Sequence, residues 1–314
     1  YVTAREARAL GVHQLYAPVA DVNNNPKNPI INIRSFGGSP SLVGTMASAF
    51  VRGAQRGGTI ATVKHFPGHG DTDVDSHMNL PVLRFDRARL DTLELPPFRQ
   101  TFEAGVQSVM TGHLALPTLA TDSVPATLSR PLTHDLLRED LGFEGLIVTD
   151  ALNMEAVTRT FGVGETAVRV LGSGADLVLM STDPWAAHDA IRTAVTNGRL
   201  DTAQINDSVR RLLETKQELG LHDTRQVPLT ETRHRVSRRS HEVLSRTVAR
   251  ESLTLLANND SLLPLTPPAQ YEALVVTLSD SESPGTGATF IDRLRDQPAI
   301  ESLDTRRLDP RSDS

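Results

Sequence analysis

Five short apolar runs, each closing on polar residues and each set apart from the next by a helical pattern, most constrain what this chain can fold into. They are His13 to Val22, Thr59 to Val63, Val106 to His113, Gly145 to Asp150 and Ala175 to Ser181. β-Branched and aliphatic residues bounded by Gly, Pro and polar residues read as buried strands. Between them, helical spacing of apolar positions runs over Ser41 to Gln55, Arg87 to Ala104, Arg130 to Leu141 and Gly164 to Gly172. Parallel strands need a crossover, usually a helix, so the alternation predicts a mostly parallel sheet. It fits part of a (β/α)8 barrel or an open doubly wound sheet. In both, the carboxyl ends of the strands carry the functional loops.

The flanks extend this pattern. The chain opens on Tyr1 rather than Met, directly in a helical segment, Ala4 to Leu10, closed by Gly11, and reads as a fragment or a processed chain. After Ser181, Asp183 is placed to cap a helix from Pro184 to Asn197, with Pro184 where a missing N–H does no harm. Asp201 is placed to cap another, with Ile205, Val209, Leu212 and Leu213 on one face and Gly220 at its end. Residues 221–240 lack apolar periodicity and read as a linker, followed by a helix over 238–257 and a strand from Ala273 to Leu278. The charged tail, Asp304 to Ser314, reads as disordered. The organisation expected is an α/β domain over 1–225, then a linker and the beginning of a second α/β domain over 226–314.

Composition narrows the partners. A net charge of -6 without a basic run gives no footprint for nucleic acid. No apolar stretch reaches the ~20 residues of a membrane span, and residues 1–15 lack the regions of a signal peptide. A soluble body is expected, bacterial-type cytoplasmic or exported. The absence of cysteine excludes disulfides, thiolate metal sites and a Cys nucleophile. Oligomeric state is not legible.

Chemistry concentrates in Lys64-His65-Phe66-Pro67-Gly68-His69-Gly70-Asp71-Thr72-Asp73-Val74-Asp75-Ser76-His77, which holds one Lys, three His and three Asp. The strand before it ends near Lys64 and His65, and Pro67, Gly68 and Gly70 break regular structure. Asp71, Asp73 and Asp75 are spaced as in a calcium loop, but Ser76 stands where Gly is needed and Val82 where Glu is needed. His65, His69 and His77 match no common zinc spacing. Neither a metal nor a cofactor is expected. Asp75 and His77 could meet if the loop turns, which would raise the His pKa toward an acid/base range. Asp150 closes the run Gly145 to Thr149, where its carboxylate could serve as a nucleophile or cap the next helix. Lys64, His65 and His113 at neighbouring strand ends could bind a polyhydroxylated ligand or simply pack.

Four blocks together resemble glycoside hydrolase family 3, in its β-N-acetylglucosaminidase branch: Ala17 to Pro26, Arg34-Ser35-Phe36-Gly37, Lys64 to His77, and Val148 to Met154. Weaker similarity continues through Ser208 to Leu213 and Arg250 to Leu256, the latter resembling the entry to the family's second domain. The resemblance implies a (β/α)8 TIM-type barrel, here lacking about three first strands, followed by the start of an α/β sandwich domain. It implies Asp150 as nucleophile, His77 as general acid/base oriented by Asp75, and Arg34, Lys64 and His65 as substrate-binding residues. The implied activity is retaining exo-hydrolysis of terminal β-linked N-acetylglucosamine from a peptidoglycan-derived or chitin-derived oligosaccharide or muropeptide. A β-glucosidase or xylosidase, a phosphorylase of the same family, and an inactive carbohydrate-binding fragment are the competing readings.

Overall fold

The computed structural model describes residues 1–73, 80–120, 124–154, 157, 161–259, 263–264, 270–279 and 285–309, apart from the side chain at position 231. Two compact units divide the chain, Tyr1–Val243 and Leu244–Ser314.

In the first unit four parallel strands lie in sequence order: β1 (Gln14–Leu15), β2 (Ile60–Phe66), β3 (Ser108–Thr111) and β4 (Leu146–Thr149). Register pairs Gln14 with Ile60, Val63 with Val109, and Val109 with Ile147. Sequential parallel order with helical crossovers is how a (β/α)8 barrel is built. β3 and β4 are buried along their whole length, as strands covered on both faces must be. The helices Pro40–Arg56 and Leu95–Glu103 pack Ala47, Val51, Ala54, Leu95 and Phe98 into that core, and Phe98 meets Phe66 edge-to-face at 5.4 Å.

Local signals fixed several helix ends. Asp183 Oδ1 accepts from the N–H groups of Trp185 and Ala186, and Asp201 Oδ1 accepts from Ala203 N, so both expected caps start the helices Pro184–Thr196 and Thr202–Glu218. Gly11 follows the first helix, Val2–Ala9, at φ +85°, a conformation costly for any residue with a Cβ.

Other expectations are corrected. The run His13 to Val22 gives only the two residues of β1 and a single bridge, Val19 with Lys64; Pro18 between them has no N–H for a ladder. The run Ala175 to Ser181 gives one bridge, Leu177 with Val148. There Asp176 turns inward and its Oδ2 accepts from Ile147 N at 2.8 Å, taking the β4 donor that a strand carbonyl would use. The same carboxylate accepts from Arg138 Nη2 at 3.0 Å, Arg211 Nη1 at 3.0 Å and Ser208 Oγ at 2.7 Å, which ties two helices to β4. The helical segment Pro131–Asp140 is wound in π rather than α fashion. Within 221–240, read as linker, Leu229–Arg235 forms a helix, anchored by Thr232 Oγ1 donating to Ala9 O at 2.9 Å. The helix expected over 238–257 spans Arg239–Glu251.

The second unit carries a parallel pair, β5 (Tyr271–Leu278) and β6 (Ile300–Leu308), with the helix Ala288–Arg295 between them. β6 corrects the expectation of disorder from Asp304: Asp304 through Leu308 pair residue by residue with Leu274 through Leu278. Main-chain pairing does not require apolar side chains, and the charged ones stand in solvent. Among the described residues no helix is long and apolar enough to cross a membrane.

Candidate active site

Parallel strands bring their carboxyl ends to one side, and the chemistry-bearing residues collect there. β2 ends through Lys64 and His65, β3 is followed by His113, and β4 by Asp150. The register of β2 on β3 shifts between Val63 and Phe66, so the strand is irregular where Lys64 and His65 leave it.

Asp21 organises this side. Its carboxylate is fully buried and accepts three hydrogen bonds: from His65 Nδ1 at 2.7 Å, from His65 N at 3.1 Å and from His69 N at 2.8 Å. Burial works to raise its pKa, and His65 and His69 outweigh that, leaving it below the ordinary carboxylate range. With Nδ1 committed to Asp21, His65 turns Nε2 toward Arg34, whose Nη2 lies 3.4 Å away. Arg34 reaches this point from the short 3-10 turn Asn32–Arg34 and also donates to Ile30 O at 3.3 Å. Asn28, 1% exposed, fastens that turn to the loop after β2: its Nδ2 donates to His69 O and Gly70 O, and its Oδ1 accepts from Ile30 N and Ile31 N. Gly70 is required by contact rather than flexibility, since a Cβ there would stand 1.8 Å from Val22 O.

Asp150 emerges from β4 with its N–H donated to Thr111 O and its Oδ1 accepting from Ala151 N at 2.8 Å. Burial pushes its carboxyl up, but His65, His113, the Ala151 N–H and Lys64 together hold it below the usual value. Lys64 is half-buried, and burial, followed by Arg34, lowers its pKa, while Asp150 and Asp21 act in the opposite sense. His113 is held by Thr127 Oγ1 at 2.9 Å from Nδ1 and by Ala151 O at 3.0 Å from Nε2, so it braces the backbone at the residue after Asp150. His69 packs edge-on to His65 with centroids 5.8 Å apart, and its Nδ1 faces Thr72 Oγ1 at 2.9 Å. Burial, then the charge of His65, lowers its pKa to about 4.

Of the residues singled out in the sequence, Asp150, Lys64, His65 and Arg34 therefore gather at one side of the sheet. Asp75 and His77 lie outside the described residues. Asp21 and Asn28 were missed. Asp21 closes the run that includes Val19 and Ala20, so the rule that pointed to Asp150 would have found it; Asn28 left no such signal. The arrangement can present an ionised carboxylate to an electrophilic carbon, beside cationic donors suited to hydroxyl and amide oxygens.

Comparison with known proteins follows the same outline. Residues 1–215 match the model of the glycosyl hydrolase family 3 N-terminal domain. The chain is 30% identical to the β-N-acetylglucosaminidase/β-glucosidase of Cellulomonas fimi over 98% of its own length and 57% of the other's. It is 32% identical to β-hexosaminidase A of Pseudoalteromonas piscicida over 87% of its length and 48% of the other's. Among solved structures, a family 3 β-N-acetylglucosaminidase from Paenibacillus sp. str. FPU-7 superposes with a TM-score of 0.83 at 36% identity, covering 98% of this chain and 59% of that one. The chain thus spans about half the length of the curated relatives it matches.

Proposed function

The chain belongs to glycosyl hydrolase family 3, and from that premise we propose that it carries the catalytic residues of a retaining exo-β-N-acetylglucosaminidase acting on peptidoglycan-derived or chitin-derived saccharides. The observation that carries this reading is the place of the Asp150 carboxylate just after β4, on the side of the sheet that Lys64, His65 and His113 share; against the upward push of burial, His65, His113, the Ala151 N–H and Lys64 hold its pKa below the usual carboxylate value.

In the reaction, an Asp150 oxygen attacks the anomeric carbon as the bond to the departing oxygen breaks, and His77 delivers the proton that this oxygen needs. Water then attacks the same carbon from the opposite side. His77 takes its proton, the bond to Asp150 breaks, and two inversions give retention. Asp75 orients His77 and favours its charged form in the first step. Arg34, Lys64 and His65 hold the sugar's hydroxyls and N-acetyl group, and Asp21 fixes His65 for that task. Names of relatives that include β-N-acetylglucosaminidase and β-hexosaminidase support the choice of sugar.

The test is hydrolysis of 4-nitrophenyl N-acetyl-β-D-glucosaminide against the β-D-glucoside by the protein. Preference for the N-acetyl sugar, with at least about a thousandfold loss in Asp150→Ala, is expected. An unaffected Asp150→Ala variant would sink the assignment, and preference for the glucoside would move it to the glucosidase branch.

A further inference from the structure

The long helical segment after the Lys64–Asp73 stretch is broken by composition. Pro96 and Pro97 have no N–H, so carbonyls one turn earlier lose their α-type donors, and Leu90–Glu94 is wound as a π-turn. That turn carries Glu94 inward. Its side chain is 3% exposed and lies against Gly68, where a Cβ would come within 2.7 Å of Glu94 Cβ and Cγ. Oε1 accepts from Arg89 Nε at 3.2 Å, whereas Oε2 is buried with no hydrogen-bond partner among the described residues. A buried carboxyl oxygen left bare is costly, and Glu94 is involved in none of the interactions assigned to the sugar site.

Arg89 serves more than Glu94. Its Nη2 donates to Asp71 Oδ2 at 2.9 Å, and its guanidinium stands 4.8 Å over the Phe85 ring. With the Asn24 amide turned so that its nitrogen donates to Val22 O, the Asn24 oxygen accepts from the same Nη2 at 3.0 Å. One guanidinium thus joins the segment after β1, the segment after β2 and the π-turn.

We propose that Glu94 and Arg89 are positioning residues for the reaction: Glu94 competes with Asp71 for the Arg89 guanidinium and so sets how firmly the chain from Gly68 to Asp73 is held. The proposal rests on the proposed function in one respect, since that stretch leads in sequence to Asp75 and His77. Among the described residues, Arg89 and Asp71 are the charged groups that face Glu94. Burial pushes the Glu94 carboxyl up, Arg89 pulls it down and Asp71 pushes it up, and together they leave it at about 7. While Glu94 is neutral, Asp71 is the ionised carboxylate that Arg89 holds among the described residues. Once ionised, Glu94 draws the guanidinium inward with a desolvated charge, and the hold on Asp71 weakens.

The experiment compares Glu94→Gln, which keeps the shape and never ionises, with the parent protein between pH 6 and 8.5. Amide hydrogen exchange at Gly68 to Asp73, corrected for intrinsic rates, is expected to lose protection through about pH 7 in the parent and to stay level in the variant. The kcat of the variant at pH 8, relative to its own value at pH 6, is expected to exceed the parent's by about three- to tenfold, the effect of moving the alkaline limb by half to one pH unit, with KM little changed. Identical protection profiles in the two proteins would overturn the proposal. Should Gln at 94 prevent folding, Asp71→Asn leaves Arg89 to Glu94 alone, and persistence of the step there would overturn it equally. A step abolished by Glu94→Gln in a protein that hydrolyses no glycoside would support the Arg89 hold and defeat the proposed function instead.

Discussion

Acidification is expected to weaken the first unit through His69, which is buried neutral beside His65. In the unfolded chain its imidazole titrates near 6.5, and in the folded unit burial and the His65 charge lower it to about 4. Between those values the unfolded state binds the extra proton. The stabilisation is therefore complete above 6.5 and is lost as pH falls toward 4. At about 1.4 kcal/mol per pH unit that interval comes to about 3 kcal/mol, with no discount for solvent because His69 is 1% exposed. Glu94 works in the opposite sense: its folded pKa is raised from 4.5 to about 7, so its contribution is complete below 4.5 and is lost as pH rises. The two slopes offset one another in the parent protein, which hides both. His69→Gln removes the titration and keeps a polar side chain. Urea unfolding followed by circular dichroism at intervals from pH 7 to 4 gives the stability difference between parent and variant. That difference should shift by about 3 kcal/mol in favour of the variant as the pH falls. A difference that stays level across the interval would refute the reasoning, whatever the absolute stabilities.

Two further substitutions probe the frame of the site. Gly70→Ala forces a methyl group against the Val22 carbonyl, a main-chain atom with no flexible end to swing aside, and is expected to destabilise the unit by about 2 kcal/mol or more, read as a lowered urea midpoint. Asp21→Asn replaces a buried carboxylate that accepts from His65 Nδ1 and two N–H groups. It should cost about 3 kcal/mol of stability and lower kcat/KM for the N-acetylglucosaminide, because His65 no longer has a fixed orientation; unchanged kcat/KM would remove His65 from the binding set.

Local chemistry made much of the fold legible. The β-branched runs around Ile60 to Val63 and Leu146 to Thr149 became buried parallel strands, and Asp183 and Asp201 capped the helices they precede. Each of these outcomes depends on residues within one or two turns of chain, and composition records such interactions directly. The strand ends were readable for the same reason. Once the order β1-β2-β3-β4 is parallel, Lys64, His65, His113 and Asp150 share a side whatever the loops do.

Where competition between distant groups decided the outcome, the sequence was silent. Asp21 meets His65 across 44 positions, and nothing local to either residue announces the pair. Asp176 looked like part of a strand, and its side chain took the β4 donor instead. The charged residues of β6 looked incapable of order because composition weighs side chains, whereas β5 supplied main-chain partners that no composition can register. Glu94 shows the limit most plainly: by itself an ordinary helical Glu, it became a buried acid only when two prolines shifted its turn inward against Gly68. Sequence alone determined the strands β2, β3 and β4, the helices that Asp183 and Asp201 cap, and which side of the sheet holds the chemistry. Tertiary structure decided which charges are buried, which partners share them and therefore which protons they hold, because burial and pairing depend on what folds against a residue rather than on its neighbours along the chain.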